Sequence, residues 1–400
     1  MTEEAFTGLR VLDLTRGIAG PYCTRWFAEF GAEVIKVEAP GAGDPSRAAG
    51  PFPGDIPDPE ASGLFLYLNA RKKSVTAAIE TAAGAALARD LAREADLFVE
   101  DFAPGVLASH GLGPGLRDAS PRLVYLSISS FGQTGPCRDY PATDLTLAAA
   151  SGTMSDRVLA GREPVRMGGS QGLYIAGRVA FISAMAALLH RDLTGEGQWV
   201  DLSEMEAAAV NDLALPATYA YQGVVHQPRR RPAVRGRGGL GRYPCRDGWV
   251  DVMPGVGGMK KLATLLGDPG LASHPWFEDH AERAQHASEF DDQFMDPWFS
   301  VRDGREIVAL AQDLGMPFSY TAGIGDLFED PQIAARNALP AVEQARAGTH
   351  RMPGPAAALS LTPGLVGRAP TLGEHNSEIY CGHLGRAPAE LALLRAQGAI

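Results

Sequence analysis

Cysteine is scarce in this chain. Four occur in 400 residues, Cys23, Cys137, Cys245 and Cys381, with no CxxC and no paired-histidine motif. That spacing argues against a disulfide framework, and the thiols read as reduced and structural. His274, His280 and His286 fit no standard ligand spacing, so no metal is expected. No apolar run reaches the ~18 residues needed to span a bilayer. The longest, Val179–Leu189, reads as a buried helix. The start, MTEEAFTGLR, lacks the basic and apolar regions of a secretory signal, and a cytoplasmic location is the expectation. Basic residues are in deficit, 36 against 47 acidic ones for a net charge of −11. The deficit argues against nucleic-acid and membrane-surface partners. An anionic ligand has to be held by local cations.

What is present suits a globular chain with a large core: 45% hydrophobic and 21% charged residues. Apolar strand patterns at Leu9–Leu14, Glu33–Val37, Ser74–Ile79, Leu97–Glu100 and Leu123–Ser127 alternate with helical ones at Ala19–Phe30 and Ala82–Glu94. This order predicts an α/β fold with a parallel sheet covered on both faces. The turn after the first strand reads Asp13-Leu14-Thr15-Arg16-Gly17. It is not GxGxxG, so no nicotinamide cofactor is expected. Ala39–Ser62, rich in Pro and Gly, predicts a long irregular loop of the kind that often serves function.

A Gly-rich turn at Gly168 opens a long apolar helix that ends at Thr194-Gly195, followed by a strand at Gln198–Leu202 and a helix at Met205–Tyr221. Gln227–Gly241 is a Pro/Arg/Gly linker. Beyond it, a strand at Trp249–Met253 and two or three short helices predict a smaller α+β domain. A helix from Asp330, two strands and a closing helix at PTLGEHNSEIY follow. The domains are expected at 1–225, 226–328 and 329–400, the last returning to the first.

Several segments carry a resemblance in combination. They are LRVLDLTRGIAGPYCTRWFAEFGAEVIKVEAPGAGDPSR, the basic run at Asn69, Arg71 and Lys72, DLFVEDFAPGVL, SSFGQTGP, ATDLTLAAASG, RDLTGEGQWVDLS and RAPTLGEHNSEI. In this order, from Gly8 to about Leu384, the chain resembles the family III CoA-transferases, the group that also contains alpha-methylacyl-CoA racemase. The resemblance implies a Rossmann-like large domain built from both chain ends, a small central domain, and two ring-like chains threaded into an interlocked homodimer. It implies coenzyme A as substrate, with an acyl-CoA and a carboxylic acid as partners. A family III paralogue is a further candidate partner.

In a transferase of this family an Asp carboxylate attacks the thioester and passes through an acyl–aspartyl anhydride. Counting back from Thr194-Gly195 puts Leu173 at that position. The racemases use a His with an Asp to move the alpha proton; the His position here is Thr143. Candidate substitutes are Asp144, Gln171 as a donor to a thioester carbonyl, and Tyr174. Asp156, Glu163 and Ser170 stand nearby. For CoA, the resemblance points to Lys36, Arg71, Lys72 and Lys73 as phosphate partners and to Phe102 for adenine or ribose contact, with Asp101, where the family has Asn, an anion near the expected position of the polyanionic ligand. Ala39 stands where many members carry an Arg. The cluster Arg229, Arg230, Arg231, Arg235, Arg237 and Arg242 reads either as an anion site on a lid or as a solvated linker. Three readings stay open: a transferase using another carboxylate, a non-catalytic subunit beside an Asp-bearing paralogue, and an isomerase or other enzyme of acyl-CoA thioesters.

Overall fold

The computed structural model describes residues 4–155, 163–211, 214–224, 238–255 and 257–400. They form two compact units. One takes the described residues up to Val224 together with Ala334–Ile400; the other runs from Gly238 to Ile333.

The first unit is built on six strands: β1 (Arg10–Leu14), β2 (Glu33–Glu38), β3 (Lys73–Thr76), β4 (Leu97–Glu100), β5 (Val124–Ser129) and β6 (Trp199–Ser203). All pair in parallel, in the order β3-β2-β1-β4-β5-β6. This is a doubly wound order. It reverses between β1 and β4, which opens a crevice outside the C-terminal ends of those strands.

The helices around the sheet are α1 (Ala19–Glu29), α2 (Gly63–Leu68), α3 (Ala82–Arg93), the short α4 (Val106–Ser109) and α5 (Leu116–Ala119), α6 (Asp144–Ala150), α7 (Gln171–Thr194), α8 (Glu204–Val210) and α9 (Ala214–Gln222). Alternate strand residues feed two cores. Val11, Val34, Leu97, Val99 and Leu126 meet Phe27 of α1 and Ala176, Ala180 and Ala184 of α7. Leu12, Ile35, Phe98 and Tyr125 meet Ala88 and Leu91 of α3 and the C-terminal Ile379, Tyr380 and Leu391. β1, β4 and β5, covered on both faces, are largely apolar, which is why they were legible in sequence.

Helix α7 departs from the expectation of a buried helix. Its small residues face the sheet, but Ile182, Leu189 and Leu193 expose 65%, 61% and 79% of their surface. By length and composition it is also long and apolar enough to cross a membrane, although Arg178 and Ser183 break any continuous apolar run. Gly177 lets α1 and α7 touch. A Cβ there would stand 2.5 Å from the Ala19 carbonyl oxygen. Gly195 ends the helix in the left-handed conformation, its N–H bonded to the Arg191 carbonyl.

Other boundaries shift as well. β3 stops at Thr76 rather than Ile79. The helix expected over 205–221 is two, α8 and α9, with 212–213 outside the described residues. The loop after β2 carries two 3-10 turns, Pro45–Ala48 and Pro53–Asp55. The C-terminal segment forms a hairpin of β10 (Ala341–Gln344) and β11 (Gly348–Arg351), a helical turn at Glu378–His383 and an unanticipated last helix, Pro388–Ala396.

The second unit has a three-stranded antiparallel sheet of β7 (Gly241–Cys245), β8 (Gly248–Val252) and β9 (Ser319–Tyr320). Its core holds Tyr243, Val250, Leu262, Phe290, Phe299 and Ile307. It contains more helical segments than the two or three expected, among them Gly258–Leu265, Pro275–Glu278, His280–Gln285 and Gly304–Asp313. Side chains of Asp268, His274 and Asp279 cap one short turn after another and keep restarting the helix.

Candidate active site

The crevice at the reversal of strand order is lined by the residues that leave β1 and β4. Arg16 follows β1. Its guanidinium lies 4.0 Å from the centre of the Phe102 ring, and its backbone N–H donates to Asp101 at 2.6 Å. Burial pushes the Asp101 carboxyl up to about 8 against the pull of that bond and of the Arg16 charge. One of its oxygens also stands 3.5 Å from the Arg16 guanidinium, so its charge is matched when it is ionised. Burial also pushes Glu100 up to about 7, opposed by hydrogen bonds from the Ser127 hydroxyl and the Phe102 N–H. Beside them is a cleft of about 170 Å³ lined by Arg16, Val37, Ala39, Gly43, Glu80 and Phe102, among others.

Of the expected phosphate partners only Lys36 lines this cleft; Arg71, Lys72 and Lys73 do not. The Lys36 ammonium has no exposure; it pairs with Asp44 at 2.8 Å and donates to the Thr15 carbonyl. Lys72 is equally buried. It pairs with Asp13 at 2.9 Å and donates to Pro21, Thr24 and Asn69. Burial would raise the Asp13 carboxyl, but the two ammoniums and the Thr15 and Thr24 hydroxyls hold it well below the usual carboxylate range. With four acceptors for three N–H groups, Lys72 has none left for a phosphate, and Lys36, with two acceptors, has no exposed surface to offer one. Arg71 is bound through both terminal nitrogens to Glu4, and Lys73 is shared by Glu33 and Glu378. The half-exposed cation beside Phe102 is Arg16, which sequence reading did not single out. Its position in the first β–α turn, where such sheets bind ligands, was the available signal.

At the same edge of the sheet the N-termini of α6, α7 and α8 converge, since the three helices pack on one another. Ser170, just before α7, adopts the left-handed conformation at φ 55°, a strained state for a residue with a side chain. Gln171 is exposed on the first turn. Leu173 packs partly against the sheet core. Tyr174 meets Tyr22 and Tyr67 at ring-centre distances of 4.9 and 6.4 Å. Asp144 opens α6, and the Arg166 guanidinium pairs with it at 2.9 Å. Its other oxygen is 3.1 Å from where a Cβ on Gly172 would stand. Asp144, Gln171 and Tyr174 are thus brought together around Leu173. Thr143 is the α6 cap, its N–H bonded to the Thr146 hydroxyl at 2.8 Å and its own hydroxyl facing the Thr146 N–H.

Sequence reading missed Glu204, the first residue of α8. Burial pushes its carboxyl up to about 7; the Ser130 hydroxyl, 3.5 Å away, opposes the shift and the Asp144 charge adds to it. No Lys or Arg pairs with it among the described residues. Glu163 is exposed. Asp156 and Arg229 to Arg237 lie outside the described residues, and Arg242 pairs with Asp251.

With that geometry in place, comparison with known proteins is decisive. The profile of CoA-transferase family III matches residues 6–376. The chain belongs to CoA-transferase family III. It is 33% identical to the succinyl-CoA–D-citramalate CoA-transferase of Chloroflexus aurantiacus, over 98% of this chain and 97% of that protein. It is 32% identical to the succinyl-CoA–L-malate CoA-transferase beta subunit of the same organism, over 100% and 99% of the two chains. Among solved structures, a CAIB/BAIF family protein from Brucella suis superimposes with a TM-score of 0.83 at 27% identity, covering 95% of this chain and 99% of that one. CoA-transferases use CoA thioesters as substrates.

Proposed function

We propose that this chain is a CoA-transferase that moves CoA from one carboxylic acid to another, with the nucleotide of CoA seated in the crevice between β1 and β4. The observation that carries the reading is the Arg16–Phe102 pair at the reversal of strand order in a family III chain. Phe102 offers a face for adenine. Arg16 supplies a cation on the cleft that Ala39 does not. Asp101 is paired with Arg16, which limits its repulsion of a phosphate. Calorimetric titration with CoA tests this. Phe102→Ala is expected to weaken binding roughly tenfold to a hundredfold, the worth of about 1–3 kcal/mol for a base on an aromatic ring. Unchanged affinity would place CoA elsewhere.

A second reading, a non-catalytic subunit beside an Asp-bearing paralogue, is favoured by Leu173, which has no nucleophile, and by a relative named as a beta subunit. The isomerase reading lacks a His at Thr143, whose hydroxyl serves the α6 cap.

In either reading we propose that the chain works as a dimer, with a second copy or with a paralogue. Ile182, Ala186, Leu189 and Leu193 recur at spacings of four, three and four, so they form one outward stripe on α7. A stripe of this exposure is characteristic of an interface. Leu189→Arg is expected to shift the native dimer to monomer in sedimentation at micromolar concentration. A monomeric native chain would reject the assembly.

A further inference from the structure

We propose that Glu204 is the carboxylate that carries acyl exchange in this chain, in place of the aspartate that Leu173 displaces. The inference rests on the transferase reading above and concerns the same site.

The argument starts from topology. In a parallel sheet the helix that precedes β6 begins at the edge where β6 ends. The residue after β6 therefore stands near the first turn of α7. Glu204 is that residue, since β6 ends at Ser203 and α8 starts at Glu204. Asp144 links the two places. It approaches Gly172, the neighbour of Leu173, to 3.1 Å of a Cβ position, and its charge is felt at Glu204. The two carboxylates differ in what they have left to give. Asp144 is neutralised by Arg166. Glu204 makes one long hydrogen bond, to the Ser130 hydroxyl at 3.5 Å. Four other buried carboxylates of this unit are held by cations: Asp13 by Lys72, Asp44 by Lys36, Glu38 by Arg47 and Glu29 by Arg25. Glu100 has no such cation among the described residues, but it ends β4 in the nucleotide crevice, where it accepts from the Phe102 N–H. A carboxylate fixed by a cation is a poor nucleophile. One poised near neutrality, and free of such a partner, is partly ionised at pH 7 and more basic than an ordinary one.

The step balances without a co-reactant. A Glu204 oxygen attacks the thioester carbonyl carbon, the C–S bond breaks, and the electron pair leaves with CoA thiolate, giving an acyl–glutamyl anhydride. The thiolate then attacks the Glu204 carbonyl carbon. The donor acid departs as its carboxylate and a glutamyl-CoA thioester remains. The acceptor carboxylate reverses the sequence. No proton or electron is gained or lost.

The test uses the full chain with succinyl-CoA and isotopically labelled succinate. Label entering succinyl-CoA measures exchange. Hydroxylamine trapping followed by peptide mapping locates the activated carboxyl as a hydroxamate. The expected result is a hydroxamate on Glu204, with exchange lost at least a thousandfold in Glu204→Gln and partly retained in Glu204→Asp. CoA titration checks that both variants still bind. Exchange within tenfold of wild type in Glu204→Gln, or a hydroxamate on another carboxyl, overturns the assignment while leaving the transferase reading intact. A wild-type chain that binds CoA but neither exchanges nor traps overturns both for the chain alone.

Discussion

Replacing Lys72 by methionine is expected to lower the stability of the unit that holds the six-stranded sheet by about 3–5 kcal/mol, because it breaks a buried pair and leaves one charge unmatched. The Lys72 ammonium has four partners: the Asp13 carboxylate, the Thr24 hydroxyl, the Asn69 side chain and the Pro21 carbonyl. Methionine fills similar space but donates to none of them. Asp13 keeps the hydroxyls of Thr15 and Thr24 and the charge of Lys36, but Lys36 is already paired with Asp44, so one carboxylate charge of the three-group cluster stays unmatched. Urea unfolding monitored on this unit reads the loss. The double variant Lys72→Met, Asp13→Asn is expected to cost clearly less than the sum of the two single changes, since the second removes the charge that the first stranded. Strict additivity would show that the pair is not coupled. The same network has a functional side. Asp13 bonds the Thr15 N–H, and Lys36 bonds the Thr15 carbonyl. Together they fix the turn that presents Arg16 to Phe102. A partly folded Lys72→Met chain is therefore expected to lose CoA affinity along with stability.

That network also shows where sequence reading stops. β1, β4 and β5 were legible because each is largely apolar on both faces, and α3 because its apolar spacing points to one side. The order of the strands was implied by family likeness and not by pattern. Lys36 and Lys72 read as phosphate partners because a buried Lys and an exposed Lys are the same letter. Only the fold reveals that Asp13 and Asp44 come from distant positions to neutralise them. Arg16 was passed over because its value comes from the strand order, which puts the end of β1 beside the end of β4. Glu204 was invisible for a similar reason. It follows the start of α7 in sequence by a whole helix and strand, and shares its edge of the sheet only because the sheet is parallel. The outward stripe of α7 was hidden inside an apolar composition that suited burial equally well. In each case local chemistry was readable and the partner was not.

The position of Leu173 offers the sharpest change of activity. In the Glu204→Gln background, Leu173→Asp is expected to restore exchange at least a hundredfold, about 2.7 kcal/mol of barrier. The structural cost is bearable. Leu173 is only partly buried against the sheet core, so losing its contact costs about 1–2 kcal/mol. As the third residue of α7, an aspartate there recovers about 0.3–1 kcal/mol from the positive end of the helix. Its carboxylate would stand near Asp144, but Arg166 already neutralises that group. The same helix end favours the ionised form, which is the nucleophile. Labelled-succinate exchange and hydroxamate mapping give the readout, with the trapped carboxyl expected at position 173. Recovery at that position would mean that the surroundings of α7 still suit acyl transfer and that the chain lost one group there. A folded, CoA-binding double variant without exchange would mean that more than the nucleophile has gone, and would turn the balance to the non-catalytic subunit.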